Sequence, residues 1–382
     1  MALRVLQFFA TLGNGGAENR MMDVYRRINT DVVQFDFAVL HEGEHYFDEE
    51  VKDMGAVKYV FPDPRAGLLK NYRSLVSFFR KHPFQAVHTH VSWYGGVVLM
   101  AAKRAGISNR IAHARAAATA NRGLKESLFC NLGKILISMS ATQRMAISQE
   151  AARNIYGSRV VKKRKYLYVP NALNQEKYVV LEGKKRAELR ERLGIPSDKK
   201  AYVTVANFRK PKNHTFLLDV VKALREEKDD FILYLIGDGD LRSEIVEKIS
   251  KLGIENNVVL MGTRGDVPEI LCAFDGMIFP SLNEGLGGVV LEAQLVGLPA
   301  IVSDAIPKEV DVGLDMIEFL PVSAGPSAWA KVIGRKTSDF VWDRQKALRA
   351  FKDTGYCIEE TAKRYLREYG LAEDLIEKAI EK

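Results

Sequence analysis

The segment Asp275–Pro299, DGMIFPSLNEGLGGVVLEAQLVGLP, contains the pattern of a strand, a glycine-rich turn and a helix in immediate succession. The apolar run Gly276–Pro280 is typical of a buried parallel strand, because a strand covered on both faces has a continuous hydrophobic sequence. An amphipathic run over about Gly287–Val296 predicts a helix that ends at Gly297 and Pro299. Units of this kind form a parallel sheet covered by helices, so the segment indicates an α/β protein.

The turn before this predicted helix is suited to an anion. Glycine backbone and the open N–H groups of a helix start allow phosphate to approach, and the helix dipole favours negative charge there. Glu284 precedes the helix and Glu292 lies inside it, eight residues later and about 12 Å further along a helix. Two such carboxylates could accept hydroxyl hydrogen bonds from two sugars on either side of a diphosphate. A nucleotide sugar has that layout; a solvated helix start in another doubly wound protein is the alternative.

The rest of the chain repeats the alternation of strand and helix, which predicts a parallel sheet with ligands beyond the carboxyl ends of its strands. In the first half the predicted strands are Arg4–Ala10, Val32–Leu40, Ala56–Val60, Ala86–His90, Arg110–Ala114 and Arg144–Ile147. The predicted helices between them are Ala17–Ile28, Leu68–Arg80, Trp93–Ala105, Leu124–Met139 and Ser148–Tyr156. In the second half the predicted strands before Gly276 are Ala201–Ala206, Phe231–Ile236 and Asn257–Met261.

The length of 382 residues is sufficient for two domains, each with its own core. No run approaches 18 uninterrupted apolar residues, and the apolar part of the first segment is too short for a signal peptide. We therefore expect a cytoplasmic protein. The cysteines Cys130, Cys272 and Cys357 are too scattered for a disulfide framework or a metal cluster, and we expect them to be reduced and structural.

Positive charge is concentrated in one part of the chain. The segment Arg65–Gln175 has a net charge of +17, whereas the whole chain has +8, so the remainder has −9. A basic domain implies an anionic partner, which could be a phosphate-bearing lipid, a membrane surface or nucleic acid; an ordinary solvated basic surface is the alternative. The predicted helix Leu124–Met139 lies in this segment and carries Phe129, Leu132 and Ile135, a pattern that either core packing or an interfacial role at a membrane explains.

Glu284 and Glu292 match the Glu-x7-Glu signature of the retaining glycosyltransferases of family 4, which this chain resembles over nearly its entire length. The segment IVSDAIPKEVDV resembles the exopolysaccharide and capsular polysaccharide branch of that family. The resemblance implies the GT-B fold, in which two Rossmann-like doubly wound domains face a cleft and a C-terminal helix crosses between them. It also implies that Glu284 orients the transferred sugar, Glu292 binds the ribose, and the helix start at Gly285, Leu286, Gly287 and Gly288 faces the diphosphate.

Two further loops resemble donor-binding loops of the same family. ANFRKPKNH, residues 206–214, resembles the Gly-Arg-x-x-x-x-Lys-Asn loop whose arginine and lysine hold the donor diphosphate. Lys212 matches the lysine, but the arginine position is Asn207, and we expect Arg209 to compensate. The loop Gly262–Asp266, which includes Arg264, is expected to line the nucleotide base mainly through backbone atoms.

The first domain contains a second glycine loop and a group of histidines. The glycine spacing after the first strand does not fit a dinucleotide fingerprint, but GGAE, with Gly15 and Gly16, resembles the family loop that faces donor phosphate and acceptor. His88, His90 and His113 lie near predicted strand ends; no carboxylate accompanies them, so we expect no metal site there. His113 and Arg115 are candidates for contact with donor sugar or acceptor, although Arg115 replaces a histidine of the family pattern.

The motif VPNALN resembles the family's boundary between domains. We predict an acceptor-binding domain over 1–172, a linker over 173–198, a nucleotide-sugar domain over 199–345, and C-terminal helices over 346–382 that pack across both domains. The last helices are predicted from about Asp339 and over Ile358–Ile380.

The resemblance implies a retaining, metal-independent transfer from a nucleotide sugar, with UDP the family's usual nucleotide, to a hydroxyl of a lipid-linked glycan. Such a protein would act on the inner face of the cytoplasmic membrane as a peripheral protein, with no cofactor and no nucleic-acid partner. Two other classes stay open: a basic protein that binds nucleic acid or an anionic surface, and a doubly wound NAD-dependent dehydrogenase. The first lacks aromatic residues interleaved with the cations, and the second lacks the glycine fingerprint.

Overall fold

The computed structural model describes residues 2–64, 67–115, 124–336 and 342–380. It divides into two compact units: unit 1 comprises Met1–Leu173 with Gly355–Lys382, and unit 2 comprises Asn174–Thr354. Each unit has a parallel sheet with helices connecting its strands. This confirms the predicted α/β class with two doubly wound domains. No helix within the described ranges combines the length and the apolar sequence needed to cross a bilayer.

Thirteen strands occur in the described ranges. They are β1 Leu3–Phe8, β2 Val33–Val39, β3 Lys58–Val60, β4 Ala86–Thr89, β5 Asn109–Ala114, β6 Gln143–Ala146, β7 Leu167–Tyr168, β8 Lys200–Val205, β9 Phe231–Ile236, β10 Val258–Gly262, β11 Gly276–Phe279, β12 Ala300–Ser303 and β13 Ile317–Leu320. β9 has the sequence FILYLI and is buried throughout, as expected of a parallel strand covered on both faces.

The α-helices of the same ranges connect these strands and follow the last one. They are α1 Gly16–Tyr25, α2 Asp48–Asp53, α3 Leu68–Lys81, α4 Tyr94–Arg104, α5 Leu124–Ser140, α6 Gln149–Tyr156, α7 Ser158–Lys162, α8 Gly183–Arg192, α9 His214–Glu227, α10 Arg242–Leu252, α11 Val267–Ile270, α12 Gly288–Leu295, α13 Pro326–Lys336, α14 Arg344–Asp353, α15 Ile358–Glu368 and α16 Glu373–Ile380. α6 begins where predicted, because Ser148 Oγ accepts a hydrogen bond from the Ala151 N–H and caps the helix.

Each sheet has one point at which the strand order reverses. In unit 1 the order is β3-β2-β1-β4-β5-β6-β7, so the chain first builds outward from β1 and then returns to its other side at β4. In unit 2 the order is β10-β9-β8-β11-β12-β13, and the reversal falls between β8 and β11. Ligands of doubly wound sheets bind beyond the carboxyl ends of the strands at such a switch point. We therefore expect ligand sites at the β1/β4 and β8/β11 switch points.

The charged segment predicted as a linker contains α8, which is anchored to the start of β11. Arg186 and Arg190 both pair with Asp275, at 2.9 and 3.0 Å, and Asp275 also accepts the Ala201 N–H at 2.7 Å. Burial alone would raise the pKa of Asp275, but the Ala201 hydrogen bond and the two guanidinium groups outweigh it and lower that pKa. Asp275 therefore links β8, α8 and β11 inside unit 2.

The C-terminal helices differ in detail from their prediction. The stretch Ile358–Ile380 is two helices, because α15 ends at Glu368 and Gly370 has a φ of +83°, which a helix cannot continue through. The predicted start at Asp339 lies outside the described residues. α14 belongs to unit 2, whereas α15 and α16 belong to unit 1, where α15 packs against α1.

Candidate active site

Lys212 and Glu284 meet at the switch point of unit 2. Lys212 ends a short 3-10 turn after β8, and Glu284 lies in the loop after β11. Lys212 Nζ donates a hydrogen bond to Glu284 Oε1, with only 25% and 12% of the two side chains exposed. Ser281 Oγ lies 2.8 Å from the same Oε1. Both contacts reach Oε1, so Oε2 of Glu284 has no partner in the described part of the chain and can accept a ligand hydroxyl.

The two loops that carry this pair are tied together by backbone groups. The Pro211 carbonyl accepts the Leu282 N–H at 2.7 Å, and Ser281 Oγ lies 2.8 Å from the same oxygen. Asn213 Nδ2 donates to the Pro280 carbonyl at 3.2 Å. These contacts fix the loop that carries Lys212 against the loop that carries Glu284, and so fix the position of the ammonium relative to the carboxylate.

The N-cap of α12 lies three residues after Glu284. This residue is Gly287, with a φ of +86°, and no side chain of the described residues caps the first N–H groups of the helix. A Cβ at Gly288 would have no heavy atom within 4 Å, so the space in front of the helix start is open. Leu286 is buried beneath it, and Glu292 lies half-buried one turn further along. The helix start therefore offers open N–H donors beside Lys212, the arrangement that binds a phosphate.

His214 begins α9 two residues after Lys212 and remains neutral. Burial and the Lys212 charge lower the pKa of His214 to about 4. Its ring packs edge to face on Phe208 at 4.8 Å, and neither ring nitrogen has a hydrogen-bond partner in the described part of the chain. His214 thus adds no charge at neutral pH to that of Lys212.

The loops after β8, β9 and β10 are packed backbone to backbone. The Gly237 N–H donates to the Gly262 carbonyl at 2.8 Å, and a Cβ at Gly237 would lie 2.0 Å from the Ala206 carbonyl oxygen. Asn207 and Arg209 are exposed on this edge. The guanidinium of Arg209 has no ion-pair partner among the described residues, so it is available to an anion.

Arg264 in the loop after β10 is already engaged. Its guanidinium forms a two-point ion pair with Asp266, at 2.8 and 2.6 Å. That pairing raises the pKa of Arg264 and lowers the pKa of Asp266. The Arg264 side chain therefore shapes the loop, and contact between the backbone of Gly262–Asp266 and a base stays a prediction.

A cavity of about 400 Å³ lies at the switch point of unit 1. The loop after β1 and the start of α1 form one wall, the residues after β4 form another, and carboxyl, imidazole and indole groups line it. Gly15 caps α1, and a Cβ there would lie 2.4 Å from Glu18 Oε2; a Cβ at Gly16 would have no heavy atom within 4 Å. The lining residues are Phe9, Ala10, Ala17, Glu18, Leu40, His41, Asp63, Pro64, His90, Val91, Ser92 and Trp93.

Glu18 is a partly buried carboxyl of this cavity. Burial raises the pKa of Glu18, and a hydrogen bond from its own backbone N–H and the Arg115 charge only partly offset that effect. A carboxyl of this kind and the nearby Asp63 can accept hydroxyl hydrogen bonds, while the Trp93 indole provides an apolar face. The chemistry of the cavity fits a polyhydroxylated ligand.

His88, His90 and His113 belong to a hydrogen-bonded network that starts at the wall of this cavity, with His90, and continues into the interior of unit 1. Arg115 Nε can only donate, so His90 Nδ1 accepts at 2.8 Å and His90 Nε2 donates to Gln7 Oε1 at 3.1 Å. The Gln7 amide donates to the Tyr369 hydroxyl at 3.0 Å, which donates to His88 Nδ1 at 2.7 Å. His88 Nε2 then donates to His113 Nδ1 at 3.2 Å, and His113 Nε2 donates to the Val169 carbonyl at 3.3 Å. With one tautomer assigned to each histidine ring, every hydrogen bond of this network has a donor and an acceptor.

The same contacts determine what these histidines can do. One ring nitrogen of each histidine lies within 4.8 Å of one on each of the other two, yet every ring nitrogen already has a hydrogen-bond partner. Burial, reinforced by the Arg115 charge and, for His90 and His113, by neighbouring histidines, lowers the pKa of all three well below the usual value. The rings are therefore neutral donors and acceptors that orient Arg115, whose other nitrogens donate to Asn171 Oδ1 at 2.7 Å and the Tyr365 hydroxyl at 3.1 Å.

Sequence reasoning missed the side chains that complete both sites. Ser281 lies in the predicted turn without a predicted role of its own, Glu18 is predicted only as part of the GGAE motif, and Asp63 and Trp93 are not among the predicted site residues. Tyr369 lies 281 positions from its partner His88, and no local pattern connects them. The alternation of strands and helices could have indicated Trp93 and Asp63, since both follow predicted strands.

Comparison with known proteins identifies two family models in this chain. A model described as "Glycosyl transferases group 1" matches residues 185–313, and one described as "Glycosyl transferase 4-like domain" matches residues 15–172. The chain is 30% identical to the putative glycosyltransferase EpsF of Bacillus subtilis, over 97% of both chains. It is 28% identical to the UDP-Gal:alpha-D-GlcNAc-diphosphoundecaprenol alpha-1,3-galactosyltransferase of Escherichia coli, over 62% of this chain and 63% of that protein.

Among solved structures, that of Anabaena HepE in complex with UDP has a TM-score of 0.77 to this chain. The two are 17% identical, and the match covers 97% of this chain and all of HepE. HepE has also been solved with UDP-glucose, with a TM-score of 0.75 over 96% of this chain and 99% of HepE. At this level of identity the likeness shows a common fold.

Proposed function

The chain belongs to the group 1 glycosyltransferases, and on that premise we propose that it moves a sugar from a UDP-sugar to a hydroxyl of a lipid-linked glycan during exopolysaccharide or capsule assembly. The anomeric configuration would be retained, and no metal would be required. The choice of UDP is supported by the name of the E. coli relative and by the ligands of HepE. The choice of a lipid-linked acceptor is supported by the diphosphoundecaprenol in the name of the same relative.

The observation that carries this proposal is the contact of Lys212 with Glu284 beside the uncapped start of α12. A diphosphate in front of Gly287 and Gly288 would accept N–H hydrogen bonds and attract the Lys212 ammonium. Negative charge grows on the diphosphate as the glycosidic bond breaks, and both groups stabilise it more in the transition state than before. In this account they take the electrostatic role that a metal has in other transferases.

Donor binding would also change the environment of Glu284. A diphosphate competes for Lys212, so the Glu284 carboxylate becomes free to accept hydroxyl hydrogen bonds from the transferred sugar. Glu292 would accept those of the ribose, and the loop Gly262–Asp266 would contact the base. Arg209, exposed and without an ion-pair partner in the described residues, would add a second cation near the diphosphate where Asn207 cannot.

The acceptor would bind in unit 1, in the cavity at the β1/β4 switch point. Its carboxyl and imidazole groups suit sugar hydroxyls, and Gly15 and Gly16 leave room for the ligand at the start of α1. Arg115 and, behind it, His113 would orient the polar side of this cavity. We propose a location on the cytoplasmic face of the membrane, where a lipid-linked acceptor is anchored.

A thermal-shift panel of UDP, GDP, ADP, NAD and UDP-sugars, with and without EDTA, tests this proposal. We expect UDP and one UDP-sugar to raise the melting temperature and EDTA to leave the rise unchanged. Glu292→Ala should weaken the shift by UDP and by the UDP-sugar alike, since the ribose is common to both. A shift by NAD alone, or a UDP shift that EDTA abolishes, would refute the donor or the metal-independent mechanism.

A further inference from the structure

The outward face of α5 is apolar where a surface helix is normally polar. Leu128, Leu132, Ile135 and Met139 are 70%, 37%, 57% and 58% exposed, and we call these four residues the apolar stripe. Their spacing of four, three and four residues aligns them along one face over about 17 Å. Between Ser127 and Ser140, every exposed residue is uncharged. A contiguous exposed apolar surface of this kind is typical of an interaction site.

The packing of α5 on α4 leaves the four side chains of the apolar stripe on the outward face of α5. A Cβ at Gly96 in α4 would lie 2.8 Å from the Gly133 carbonyl oxygen, and a Cβ at Gly133 in α5 would lie 2.6 Å from Trp93 Cα. The two helices therefore approach each other through glycines. Phe129 stacks on Trp93 at 5.0 Å beside this contact. The packed side of α5 thus consists of Gly133, Leu136 and Ile137, and core packing does not explain the apolar stripe.

A groove of about 510 Å³ lies on α3, in the same layer of helices, and is lined by positive charge. Four cations line it, Arg73, Arg80, Lys81 and Arg104, and we call this the basic groove. None of the four has an ion-pair partner within the described ranges, whereas the exposed Arg367 has one in Glu373. The sequences of α3, α4 and α5 contain eight lysines and arginines and a single acid, Glu126.

We propose that α3, α4 and α5 form the face by which this protein docks on a bilayer that contains anionic phospholipids. The apolar stripe would enter the boundary between headgroups and acyl chains, and the basic groove would bind headgroup phosphates. Stable binding at a membrane surface needs apolar burial and electrostatic attraction together, and this layer provides both. Guanidinium groups suit phosphate because their donors match two of its oxygens. The inference rests on the proposed function only in that a lipid-linked acceptor is held at a bilayer.

Vesicle sedimentation tests the docking face with the full chain. At 0.1 M NaCl we expect at least tenfold stronger binding to phosphatidylcholine vesicles with 30% phosphatidylglycerol than to pure phosphatidylcholine, and a marked loss at 0.5 M. Arg73→Gln with Arg80→Gln should remove the preference for the anionic lipid. Ile135→Ser with Met139→Ser should lower binding at least tenfold. The matched controls Val246→Ser and Lys222→Gln with Lys251→Gln, on exposed positions of unit 2, should bind as the wild type does.

Hydrogen exchange on the unmodified protein provides a second test that needs no variant. Anionic vesicles should protect peptides from α3 and α5 and leave α10 unchanged. Equal binding to both kinds of vesicle, or protection elsewhere but not in α3 and α5, would overturn the proposal. So would light scattering that finds a dimer which the Ile135→Ser/Met139→Ser variant dissociates, since the stripe would then be a subunit interface.

The tests of the docking face and of the proposed function can fail independently of each other. The surface variants should keep the thermal shift by UDP, because Lys212 and Glu284 are untouched. A protein that docks on anionic vesicles but shows no shift with any UDP-sugar would refute the proposed donor alone. A protein that transfers sugar but ignores anionic vesicles would refute the docking face alone.

Discussion

Lys212 and Glu284 are 72 positions apart in the chain, yet the ammonium of one donates a hydrogen bond to the carboxylate of the other. The contact arises because β8 and β11, the strands before these loops, are neighbours at the point where the sheet of unit 2 reverses direction. The fold therefore brings a cation, an acid and an uncapped helix start to one edge.

Replacement of Lys212 by Met should lower kcat/KM for the UDP-sugar about 100-fold or more, a loss of about 3 kcal/mol of transition-state stabilisation. The reason is that a cation that meets the growing charge of the diphosphate is removed. Steady-state kinetics with Lys210→Met as the control measures this, since Lys210 is an exposed lysine of the same turn. An equal effect of both substitutions would show that general surface charge, and not this position, is responsible.

Glu284→Gln should lower kcat about 100-fold while the affinity for UDP stays within a few-fold of the wild type. The amide keeps the shape of the side chain but loses the charge that orients the sugar, and Lys212 remains available to the diphosphate. Transfer assays together with UDP titration calorimetry separate the two effects. Wild-type turnover by this variant would eliminate the assigned role of Glu284.

The histidine network should make unit 1 sensitive to acid. The pKa of His88 is lowered well below its usual value by burial, so the unfolded chain binds the proton more readily than the folded one. Stability is then complete above the unfolded pKa near 6.5 and is lost as the pH falls below it, by up to about 1.4 kcal/mol per pH unit for each histidine. Urea unfolding between pH 7 and pH 5 should show a shallower loss in His88→Gln, because glutamine can replace both hydrogen bonds without titrating. Parallel pH profiles of the two proteins would contradict the assigned neutral state.

Asp275→Asn should destabilise unit 2 by about 3 kcal/mol, because it leaves the buried guanidinium of Arg190 and the half-buried one of Arg186 without their counter-charge. Asp219→Asn is the matched control, since its pair with Lys248 is more exposed and should cost less than about 1 kcal/mol. Chemical unfolding of the three proteins at pH 7 measures the difference. Equal losses would mean that α8 is not anchored through Asp275.

Local sequence patterns predicted the elements that carry the sites. The run Gly276–Phe279, the turn and α12 were predicted to within one or two residues, because burial of a parallel strand and helix termination at glycine are local properties. The resemblance to family 4 also indicated Glu284 and Lys212 as partners of one ligand. Their direct contact could not be read from the sequence, since it depends on which strands are neighbours in the sheet.

Contacts over long separations explain the rest of what was missed. Tyr369, on the segment after α15, completes the histidine network of strands β4 and β5. The apolar pattern of α5 was equally consistent with core packing, and only the glycine contact between Gly96 and Gly133 separates the two interpretations. In both cases the role of a residue depends on a contact with a distant part of the chain, which the local sequence does not reveal.

A crystal structure of the protein with UDP tests the central claim most directly. We predict that oxygens of the diphosphate lie within about 3 Å of Lys212 Nζ and of the N–H groups at Gly287 and Gly288. A diphosphate bound away from the β8/β11 switch point, with the Lys212–Glu284 ion pair unchanged, would contradict the account.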